Sequence, residues 1–405
     1  MYIKRHIESQ IEECRQTYPA VLVTGPRQVG KSTVLKELYP RFAYETLDDL
    51  NMVQMISSDP LGYLQLKGTP FVIDEIQKAP KLFGSIKYMI DGERKNGMYL
   101  FTGSQKFELM KGVSESLAGR IAVIDLLGLS LREINGDAFC KPFIPTMEYL
   151  SARKPEHIDI KRLWEIIHRG SMPALYENEY RAWSRYYADY VSTYIERDVR
   201  ELSQVGDTLA FMQFLTALAS RTGELLNMNA IAQDIGVSAP TIKRWIAILQ
   251  ASNIIYLLQP FSLNSSKRVV KTPKVYFTDT GLVCYLCKWL TPDTLANGAQ
   301  AGNIFETFVV DEILKSYLNA GEEANLYFFR NTDGQEVDLI IYQDGKIFPI
   351  EIKKTSSPNL KDIKHFGALK NAFPMIELAE GGVICTSNTL LPLGEGNKVI
   401  PISYI

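Results

Sequence analysis

A glycine-rich turn near the start of the chain has the residue types and the spacing that bind phosphate groups. GPRQVGKST places Gly25, Gly30, Lys31 and Ser32 at the P-loop spacing, between a short apolar strand and a helical pattern. Backbone N–H groups and the helix N-terminus would face the phosphates, with Lys31 on the β- and γ-phosphates and Ser32 on Mg²⁺. We therefore predict an ATP and Mg²⁺ site. Its binding residues are Gly25, Pro26, Arg27, Gln28, Val29, Gly30, Lys31, Ser32 and Thr33. The alternative for Arg27 is a surface position without a phosphate contact.

Two further apolar runs end in polar residues that could act on the same phosphates. PFVIDEIQ ends in Asp74, predicted to hold Mg²⁺, and Glu75, predicted to polarise the attacking water. The alternative for this pair is a capping role at the end of a buried strand. MYLFTGSQ brings Thr102 and Ser104 to the position of a γ-phosphate sensor. Since ligands of open α/β sheets bind where parallel strands end, we expect these residues beside the P-loop.

Arg120 follows in the segment SLAGR and has three interpretations. It could contact the nucleotide of its own chain, or it could act as an arginine finger toward a neighbouring subunit of a homo-oligomer. It could equally be an ordinary surface arginine.

The motifs GPRQVGKST, FVIDEIQKAP, LFTGSQ and SLAGR together resemble the AAA ATPases that are fused to a domain of unknown function. This resemblance implies an ATPase. SKRVVKTPKVYFTDTGL, residues 266–282, resembles the accessory domain of that family, and Asp279 within it is predicted to be structural rather than catalytic. The sensor strand departs from standard AAA+ proteins, because it ends in Thr-Gly-Ser where Asn is usual.

Near the C-terminus, two apolar strands carry opposed carboxylates. Asp344 and Gly345 predict a two-residue hairpin turn, because Asp-Gly accepts positive φ angles. Counting outward from that turn, Asp338 lies across from Glu351 on one face of the hairpin, where carboxylates about 5 Å apart repel. Glu336 and Lys353 are predicted to form the next pair on that face. The other face is predicted to carry Val337, Leu339, Ile341, Phe348, Ile350 and Ile352.

Asp338 followed by Glu351-x-Lys353 resembles the PD-(D/E)XK nucleases, which also place a glutamate on a preceding helix, here Glu306. The resemblance implies that Asp338 and Glu351 hold Mg²⁺ or Mn²⁺ and that Lys353 stabilises developing charge or positions water. Glu306, Asp338, Glu351 and Lys353 are therefore the predicted nuclease residues. Inactive members of this fold bind DNA or partners without cutting, so a binding module stays an alternative.

The middle of the chain is predicted to be helical and then to form a winged helix. From residue 161 onward long amphipathic stretches place Tyr190, Tyr194 and Ile195 in a core. Residues 226–261 have a helix-turn-helix pattern that is continued by a strand at 254–258, as in winged helices. Residues 237–275 contain basic side chains and no acid, which predicts contacts to DNA phosphates. The alternative is a packing lid or protein interface. The basic residues are Lys243, Arg244, Lys267, Arg268, Lys271 and Lys274.

Composition favours an α/β multidomain protein. The chain has 405 residues, of which 46% are hydrophobic and 22% charged, and a net charge of −2. We predict a P-loop AAA-type ATPase domain at 1–155, a helical and winged-helix domain at 160–295 and a restriction-endonuclease-like α/β domain at 296–405. The charged N-terminus and the lack of long apolar runs predict a cytoplasmic protein without a membrane partner.

The five scattered cysteines do not suggest disulfides. The pair Cys284 and Cys287 is more simply explained by buried thiols than by a metal site.

Two functions follow from the sequence. In the first, an ATPase controls engagement of DNA by the winged helix and a metal-dependent nuclease-like site. In the second, the protein is a nucleotide-dependent switch or scaffold for a protein partner, with a C-terminal module that does not cleave.

Overall fold

A computed structural model describes residues 2–104, 113, 115–178, 181–195, 208–262 and 270–405. Its first sheet has five parallel strands in the order β2-β3-β4-β1-β5. The strands are β1 Ala20–Thr24, β2 Ala43–Thr46, β3 Phe71–Asp74, β4 Tyr99–Gly103 and β5 Ile121–Asp125. Strands β1, β3 and β4 are buried throughout, and their apolar runs fit a parallel sheet that is covered on both faces.

Helices that connect these strands begin at recognisable caps. Asp49 accepts a hydrogen bond from the backbone N–H of Asn51, and Asp59 from that of Gly62, each at the start of a helix. The helices of this part are α1 Glu8–Thr17, α2 Lys31–Leu38, α3 Leu50–Ser58, α4 Pro60–Lys67 and α5 Leu82–Glu93. After β5 the chain continues through α6 Leu131–Ile134 and α7 Met147–Ala152.

The following region is helical, as predicted from residue 161 onward. It contains α8 Ile160–Arg169, α9 Ala174–Glu177, α10 Trp183–Tyr190, a π-helical turn Val191–Ile195 and α11 Thr208–Ala219. Tyr190 is buried in the core, whereas the side chains of Tyr194 and Ile195 lie outside the described part.

Two helices after α11 meet at a tight turn. They are α12 Met228–Ile235 and α13 Ala239–Ala251, and β6 Glu224–Leu225 precedes them. Gly236 ends α12 with a φ of 78°, and the Ser238 side chain accepts a hydrogen bond from the backbone N–H of Thr241 at the start of α13. One face of α13 is apolar and buried, and it consists of Ile242, Trp245, Ile246 and Leu249. The antiparallel strands β7 Ile255–Pro260 and β8 Lys274–Phe277 follow.

A second sheet of ten described strands joins this region to the C-terminal part. Its order is β14-β15-β13-β11-β10-β9-β7-β8-β6, and β12 pairs with β11. The remaining strands are β9 Leu326–Arg330, β10 Glu336–Gln343, β11 Lys346–Lys353, β12 Glu377–Leu378, β13 Gly382–Cys385, β14 Leu391–Gly394 and β15 Asn397–Pro401. Because β7 pairs with β9, the sheet is continuous across the predicted domain boundary at residues 295 and 296.

Four helices belong to the same region. They are α14 Thr280–Leu286, α15 Pro292–Ala296, α16 Ala301–Ala320 and α17 Phe366–Ala372. None of the helices in the described ranges is long and apolar enough to cross a lipid bilayer.

The predicted hairpin register is correct close to the turn. Gln343 pairs with Lys346, and the same register continues to Leu339 and Ile350, because Asp344 and Gly345 both adopt positive φ angles. The predicted face of Val337 is wrong. A bulge between Val337 and Ile340 shifts the pairing with β9 by one residue. As a result, Val337 belongs to the same hydrophobic cluster as Ile340, and Leu339 belongs to a different one.

Candidate nucleotide site and carboxylate cluster

The P-loop connects the end of β1 to the start of α2. Gly25 has a φ of 146°, and a Cβ atom at this position would lie 2.0 Å from the carbonyl oxygen of Leu126. Gly30 adopts a φ of 94° immediately before Lys31, the first residue of α2. Both glycines are therefore required by backbone geometry, and the loop leads directly into a helix N-terminus that favours anions.

The ammonium group of Lys31 lies inside this loop. Its Nζ donates hydrogen bonds to the carbonyl oxygens of Gly25 at 3.1 Å and Pro26 at 2.7 Å. The side chain is buried, so its positive charge is held where a bound phosphate would be expected. A nucleotide would have to exchange those carbonyl contacts for phosphate contacts.

Ser32 and Asp74, the two predicted Mg²⁺ ligands, are neighbours. Ser32 Oγ donates to Asp74 Oδ1 at 2.6 Å, and Tyr44 Oη donates to Asp74 Oδ2 at 2.7 Å. Thr102 also donates its hydroxyl to Asp74. A hydroxyl and a carboxylate next to a phosphate loop suit one Mg²⁺ ion, which prefers oxygen ligands and keeps several waters. Tyr44 was not predicted, because nothing in the sequence of β2 marks it as a partner of Asp74.

Glu75 lies beside the C-terminal end of β4. Its backbone N–H donates to Thr102 Oγ1 at 3.2 Å, and Ser104 Oγ donates to Glu75 Oε2 at 3.2 Å. Glu75 has a φ of 56°, an unusual conformation for a residue other than glycine. The strand-end acids and the predicted sensor residues therefore meet at the edge of the sheet that carries the P-loop.

Arg120 lies at the opposite end of the sheet. Its carbonyl oxygen accepts a hydrogen bond from the N–H of Ala20, which begins β1, whereas the P-loop follows the end of that strand. The length of β1 separates the two ends by about 13 Å. Its guanidinium group binds Asp91 at 2.6 and 3.1 Å. The predicted contact to the nucleotide of the same chain is thus wrong, while a role toward a neighbouring subunit stays a prediction.

Arg5 supports the P-loop from within the core and was missed by the sequence analysis. Its guanidinium group donates to the carbonyl oxygens of Val29 at 2.8 Å, Leu127 at 2.9 Å and Gly128 at 3.1 Å. It also forms a buried ion pair with Glu133 at 3.0 Å. No local pattern could have revealed this role, because Glu133 is 128 residues away.

Helix α16 contacts the same segment after β5. Glu312 Oε2 accepts a hydrogen bond from the N–H of Leu131 at 2.6 Å, and Lys315 Nζ donates to the carbonyl oxygen of Leu129 at 3.1 Å. Lys315 and Glu312 are also paired with each other at 2.9 Å. Because α16 begins near Glu306, one helix links the surroundings of the P-loop to the predicted nuclease residues.

Three of the four predicted nuclease residues are brought together. Lys353 Nζ donates to Asp338 Oδ2 and to Glu351 Oε2, each at 2.9 Å, and the N–H of Ile352 donates to Asp338 Oδ2 at 2.9 Å. The fourth, Glu306, is bound by other partners. Its Oε1 accepts from Lys274 Nζ at 3.0 Å and from Tyr276 Oη at 2.7 Å.

Lys274 was predicted to contact DNA, and this prediction is wrong. The side chain is buried, and its Nζ lies 3.0 Å from Glu306 Oε1 and 2.5 Å from Glu336 Oε1. Glu336 was expected to pair with Lys353 and instead pairs with Lys274 and Arg330. We use the term carboxylate cluster for Glu306, Glu336, Asp338 and Glu351 together with the two lysines, Lys274 and Lys353.

The pKa values of the two acids of the hairpin are shifted in opposite directions. Burial and the neighbouring Asp338 carboxylate raise the pKa of Glu351 to about 10. Burial would also raise the pKa of Asp338, but the positive charges of Lys353 and Lys274 hold it below its ordinary value. Glu351 Oε1 is buried and accepts no hydrogen bond, so a proton on Glu351 is the simplest way to relieve the repulsion between the two groups.

The carboxylate cluster does not fit the predicted metal site. Lys353 already bridges Asp338 and Glu351, and Lys274 holds Glu306. Within the described ranges, no three or more His, Cys, Asp or Glu side chains are arranged to hold a metal ion. The same finding covers the cysteine pair. Cys284 and Cys287 are free thiols, and burial raises the pKa of Cys287 to about 11.

The other predicted DNA contacts are divided between the surface and regions that are not described. Lys243 and Arg244 on α13 are exposed, and so is Lys271 just before β8. Lys267 and Arg268 lie outside the described residues.

Asp279 has the environment of a structural residue, as predicted. Its carboxylate accepts hydrogen bonds from the N–H of Ser171 at 3.1 Å, from Tyr187 Oη at 2.8 Å and from the N–H of Leu282 at 2.8 Å. These contacts tie the start of α14 to the helical region and leave the carboxylate fully engaged.

Three family models match successive parts of the chain. They are an AAA domain at residues 17–135, a domain of unknown function (DUF8612) at 160–293 and another (DUF4143) at 301–405. The first part is thus an AAA-type P-loop ATPase domain, and the predicted fusion to a domain of unknown function is confirmed. The position of the accessory domain differs from the prediction. Residues 266–282 lie in the DUF8612 match, and DUF4143 covers the region predicted to be nuclease-like.

Uncharacterized proteins of two mycobacteria are similar to the whole chain. One is from Mycobacterium tuberculosis and the other from Mycobacterium bovis, and each is 27% identical over 405 residues. The match covers 99% of this chain and 84% of each relative.

Solved structures of other ATPases are distantly similar. A Walker-type ATPase of Pyrococcus abyssi is 15% identical, with a TM-score of 0.45 over 70% of this chain and 96% of that chain. The RuvB Holliday junction branch migration motor of Thermotoga maritima is also 15% identical, with a TM-score of 0.30 over 62% of this chain and 88% of that chain. These likenesses are too weak to inform on the activity of this chain.

Proposed function

We propose that this protein is an ATP-hydrolysing switch, in which the nucleotide state of the P-loop domain controls what the C-terminal module binds. The observation that carries the proposal is the convergence of Ser32, Asp74, Thr102, Glu75 and Ser104 at the P-loop edge of the sheet. These side chains supply the hydroxyl, carboxylate and sensor groups that ATP hydrolysis requires.

Each residue has a defined task in hydrolysis. Lys31 would exchange its carbonyl contacts for the β- and γ-phosphates. Ser32 and Asp74 would hold Mg²⁺, which would supply positive charge to neutralise the phosphates. Glu75 orients and polarises the attacking water, and Ser104, within hydrogen-bonding distance of Glu75, detects the γ-phosphate. The buried pair of Arg5 and Glu133 keeps the loop in place during the reaction.

Contacts of α16 connect the surroundings of the P-loop with the carboxylate cluster. Leu129 and Leu131 follow the strand next to the P-loop and are bound by Lys315 and Glu312 of α16. Glu306, about 9 Å earlier on the same helix, belongs to the carboxylate cluster. A shift of the segment after β5 on nucleotide binding would move α16 as a rigid element, since helices transmit displacement along their length.

ATP turnover by purified variants tests the enzymatic part. Lys31→Ala should reduce hydrolysis by about 100-fold or more, because it removes a charge that stabilises the transition state. Glu75→Gln should retain bound ATP while losing hydrolysis. Lys87→Ala and Glu13→Gln make the same chemical changes at exposed positions and serve as controls. Wild-type turnover by either site variant would show that the site is assigned wrongly.

Hydrogen exchange of α16 with and without ATP tests the switch. In Glu75→Gln protein saturated with ATP, amides of α16 and of residues 127–133 should change their protection together. Glu312→Gln with Lys315→Met should uncouple the two segments, and the change would then stay near the P-loop. Identical exchange of α16 in both nucleotide states would contradict the switch and leave the ATPase proposal intact.

DNA is the partner that one specific observation favours. The order α11, β6, α12, α13, β7, β8 is the order of a winged helix, and it supports the predicted DNA-binding fold. Lys243 and Arg244 are exposed on its third helix, α13, and Lys271 is exposed before its last strand. Such residues would contact phosphates and place a duplex without selecting its sequence.

Binding of a labelled duplex at several salt concentrations tests this partner. Changing the three exposed basic residues to serine should weaken binding, and the salt slope should fall by about 0.9 for each phosphate that the protein no longer neutralises. Three exposed lysines near α17 provide the matched control, and they are Lys361, Lys364 and Lys370. If both triple variants bind the duplex equally weakly, the loss of affinity would be explained by net charge and not by the positions of these three residues. No binding at low salt would favour a protein partner.

Cleavage of that DNA is the less supported alternative, because both lysines of the carboxylate cluster occupy the acids that a metal would need. Incubation of linear, branched and single-stranded DNA with Mg²⁺ or Mn²⁺, with and without ATP, should give no products. Cleavage that is lost in Asp338→Ala would establish a nuclease and overturn this part of the proposal.

A further inference from the structure

Tyr44 lies beside the acid that is expected to hold Mg²⁺. It belongs to β2, the edge strand of the first sheet, and the neighbouring strand β3 ends in Asp74. The Tyr44 ring is half-buried, and its Oη donates a hydrogen bond to Asp74 Oδ2 at 2.7 Å. No step of the hydrolysis proposed above uses this side chain, although it contacts the candidate nucleotide site.

Both carboxylate oxygens of Asp74 accept hydrogen bonds. Oδ1 accepts from Ser32 Oγ at 2.6 Å and from the hydroxyl of Thr102, whereas Oδ2 accepts from Tyr44. The terminal torsion of an aspartate side chain has a broad range, so the carboxylate can rotate unless its oxygens are bound. The contact from Tyr44 therefore restricts which oxygen of Asp74 lies beside Ser32.

The surroundings keep Tyr44 in place as a donor. Burial and the Asp74 carboxylate raise the pKa of Tyr44, so its hydroxyl keeps the proton at neutral pH. Lys36 Nζ lies 4.1 Å from the centre of the Tyr44 ring, a distance at which a cation is attracted to the aromatic face. Lys36 follows Ser32 by four residues on α2, so the two side chains lie on one face of that helix. Helix α2 thus contacts Asp74 directly and also through Tyr44.

We propose that Tyr44 is a positioning residue for Mg²⁺: it holds Asp74 by Oδ2, so that Oδ1 stays beside Ser32 and the two groups can bind the ion together. Residues that orient a metal ligand raise the affinity for the metal without contacting it. This inference rests on the proposed ATPase function and extends the site to β2.

Binding of a non-hydrolysable ATP analogue to the full-length protein tests the inference, with titrations in EDTA and in excess Mg²⁺. The ratio of the two Kd values measures how much Mg²⁺ strengthens binding. Tyr44→Phe removes one oxygen atom and should lower this ratio by about tenfold, the loss that is common when a residue orienting a metal ligand is removed. The affinity in EDTA should stay at the wild-type value, because Tyr44 acts through the metal site.

Two sets of variants serve as controls. Tyr63→Phe removes a hydroxyl that donates to Glu45 Oε2 at 3.1 Å on the same strand, and it should leave both affinities unchanged. Lys36→Met should lower the ratio less than Tyr44→Phe does, and Lys36→Arg should keep it, since arginine is also attracted to the ring. In turnover assays Tyr44→Phe should need more Mg²⁺ for half-maximal activity and recover the wild-type kcat at saturating Mg²⁺.

The possible failures can be distinguished from one another. An unchanged ratio in folded Tyr44→Phe would overturn this inference and leave the proposed ATPase function intact. A higher ratio would also overturn it, because the hydroxyl would then compete with Mg²⁺ for Asp74. Equal losses of affinity in EDTA and in Mg²⁺ would reduce Tyr44 to a structural residue. If the wild type binds no analogue under either condition, the proposed function fails, and this inference fails with it.

Discussion

Replacement of Arg5 by methionine is the change that best separates support of the P-loop from general stability. Arg5 bonds to the carbonyl oxygen of Val29 in the loop and to two carbonyl oxygens after β5, and it neutralises Glu133. Methionine fills much of the same space and has no donor. Arg5→Met therefore removes the hydrogen bond to the loop and leaves the Glu133 carboxylate buried without its counter-charge.

The expected effects follow from these interactions. Leaving one partner of a buried ion pair unpaired lowers the free energy of unfolding by about 3–5 kcal/mol. In the double variant Arg5→Met/Glu133→Gln no charge is left unpaired, so most of this stability should be recovered. ATP affinity should not recover, because the hydrogen bond from a charged donor to Val29 is still missing. Such a bond contributes about 1.5 kcal/mol, which corresponds to about tenfold in affinity.

Urea unfolding and titration with a fluorescent ATP analogue measure the two quantities on the same samples. Arg5→Lys should have near-normal stability and intermediate affinity, since it keeps the charge but lacks the planar fork of donors. If the stable double variant binds ATP with wild-type affinity, the hydrogen bond from Arg5 to Val29 does not support the P-loop. Arg5 would then serve only to neutralise Glu133.

Three further outcomes are expected. Gly25→Ala should abolish ATP binding, because the new Cβ would lie 2.0 Å from the Leu126 carbonyl oxygen and alanine rarely adopts a φ of 146°. Folded Gly25→Ala protein with normal ATP binding would contradict this prediction. Arg120→Ala should leave ATP affinity unchanged, since Arg120 binds Asp91 far from the loop, and a direct titration checks it. For Glu351, whose folded pKa is about 10 against an ordinary 4.5, the proton stabilises the folded state, so stability should fall as the pH rises between these values. Urea unfolding at pH 5 and pH 9 should show that Glu351→Gln reduces this fall.

Features whose causes lie within a few residues of one another could be predicted from the sequence alone. The P-loop was predictable because its glycines, lysine and serine act through local backbone geometry between a strand and a helix. The hairpin register was predictable for the same reason, since Asp344 and Gly345 specify the turn from which pairing begins. The strand-end acids followed from the general rule that ligands bind where parallel strands end.

Tertiary structure decided which charges face solvent and which are buried. Lys274 has the same sequence signature as its basic neighbours, yet pairing of β8 within the second sheet turns it toward Glu306 on α16. Arg5 meets Glu133 only after the chain has folded, and one bulge in β10 reverses the side of Val337. A sequence specifies the sign of each charge. The partner of a charged side chain and its dielectric surroundings depend on interactions between segments far apart in the chain, which local patterns do not encode.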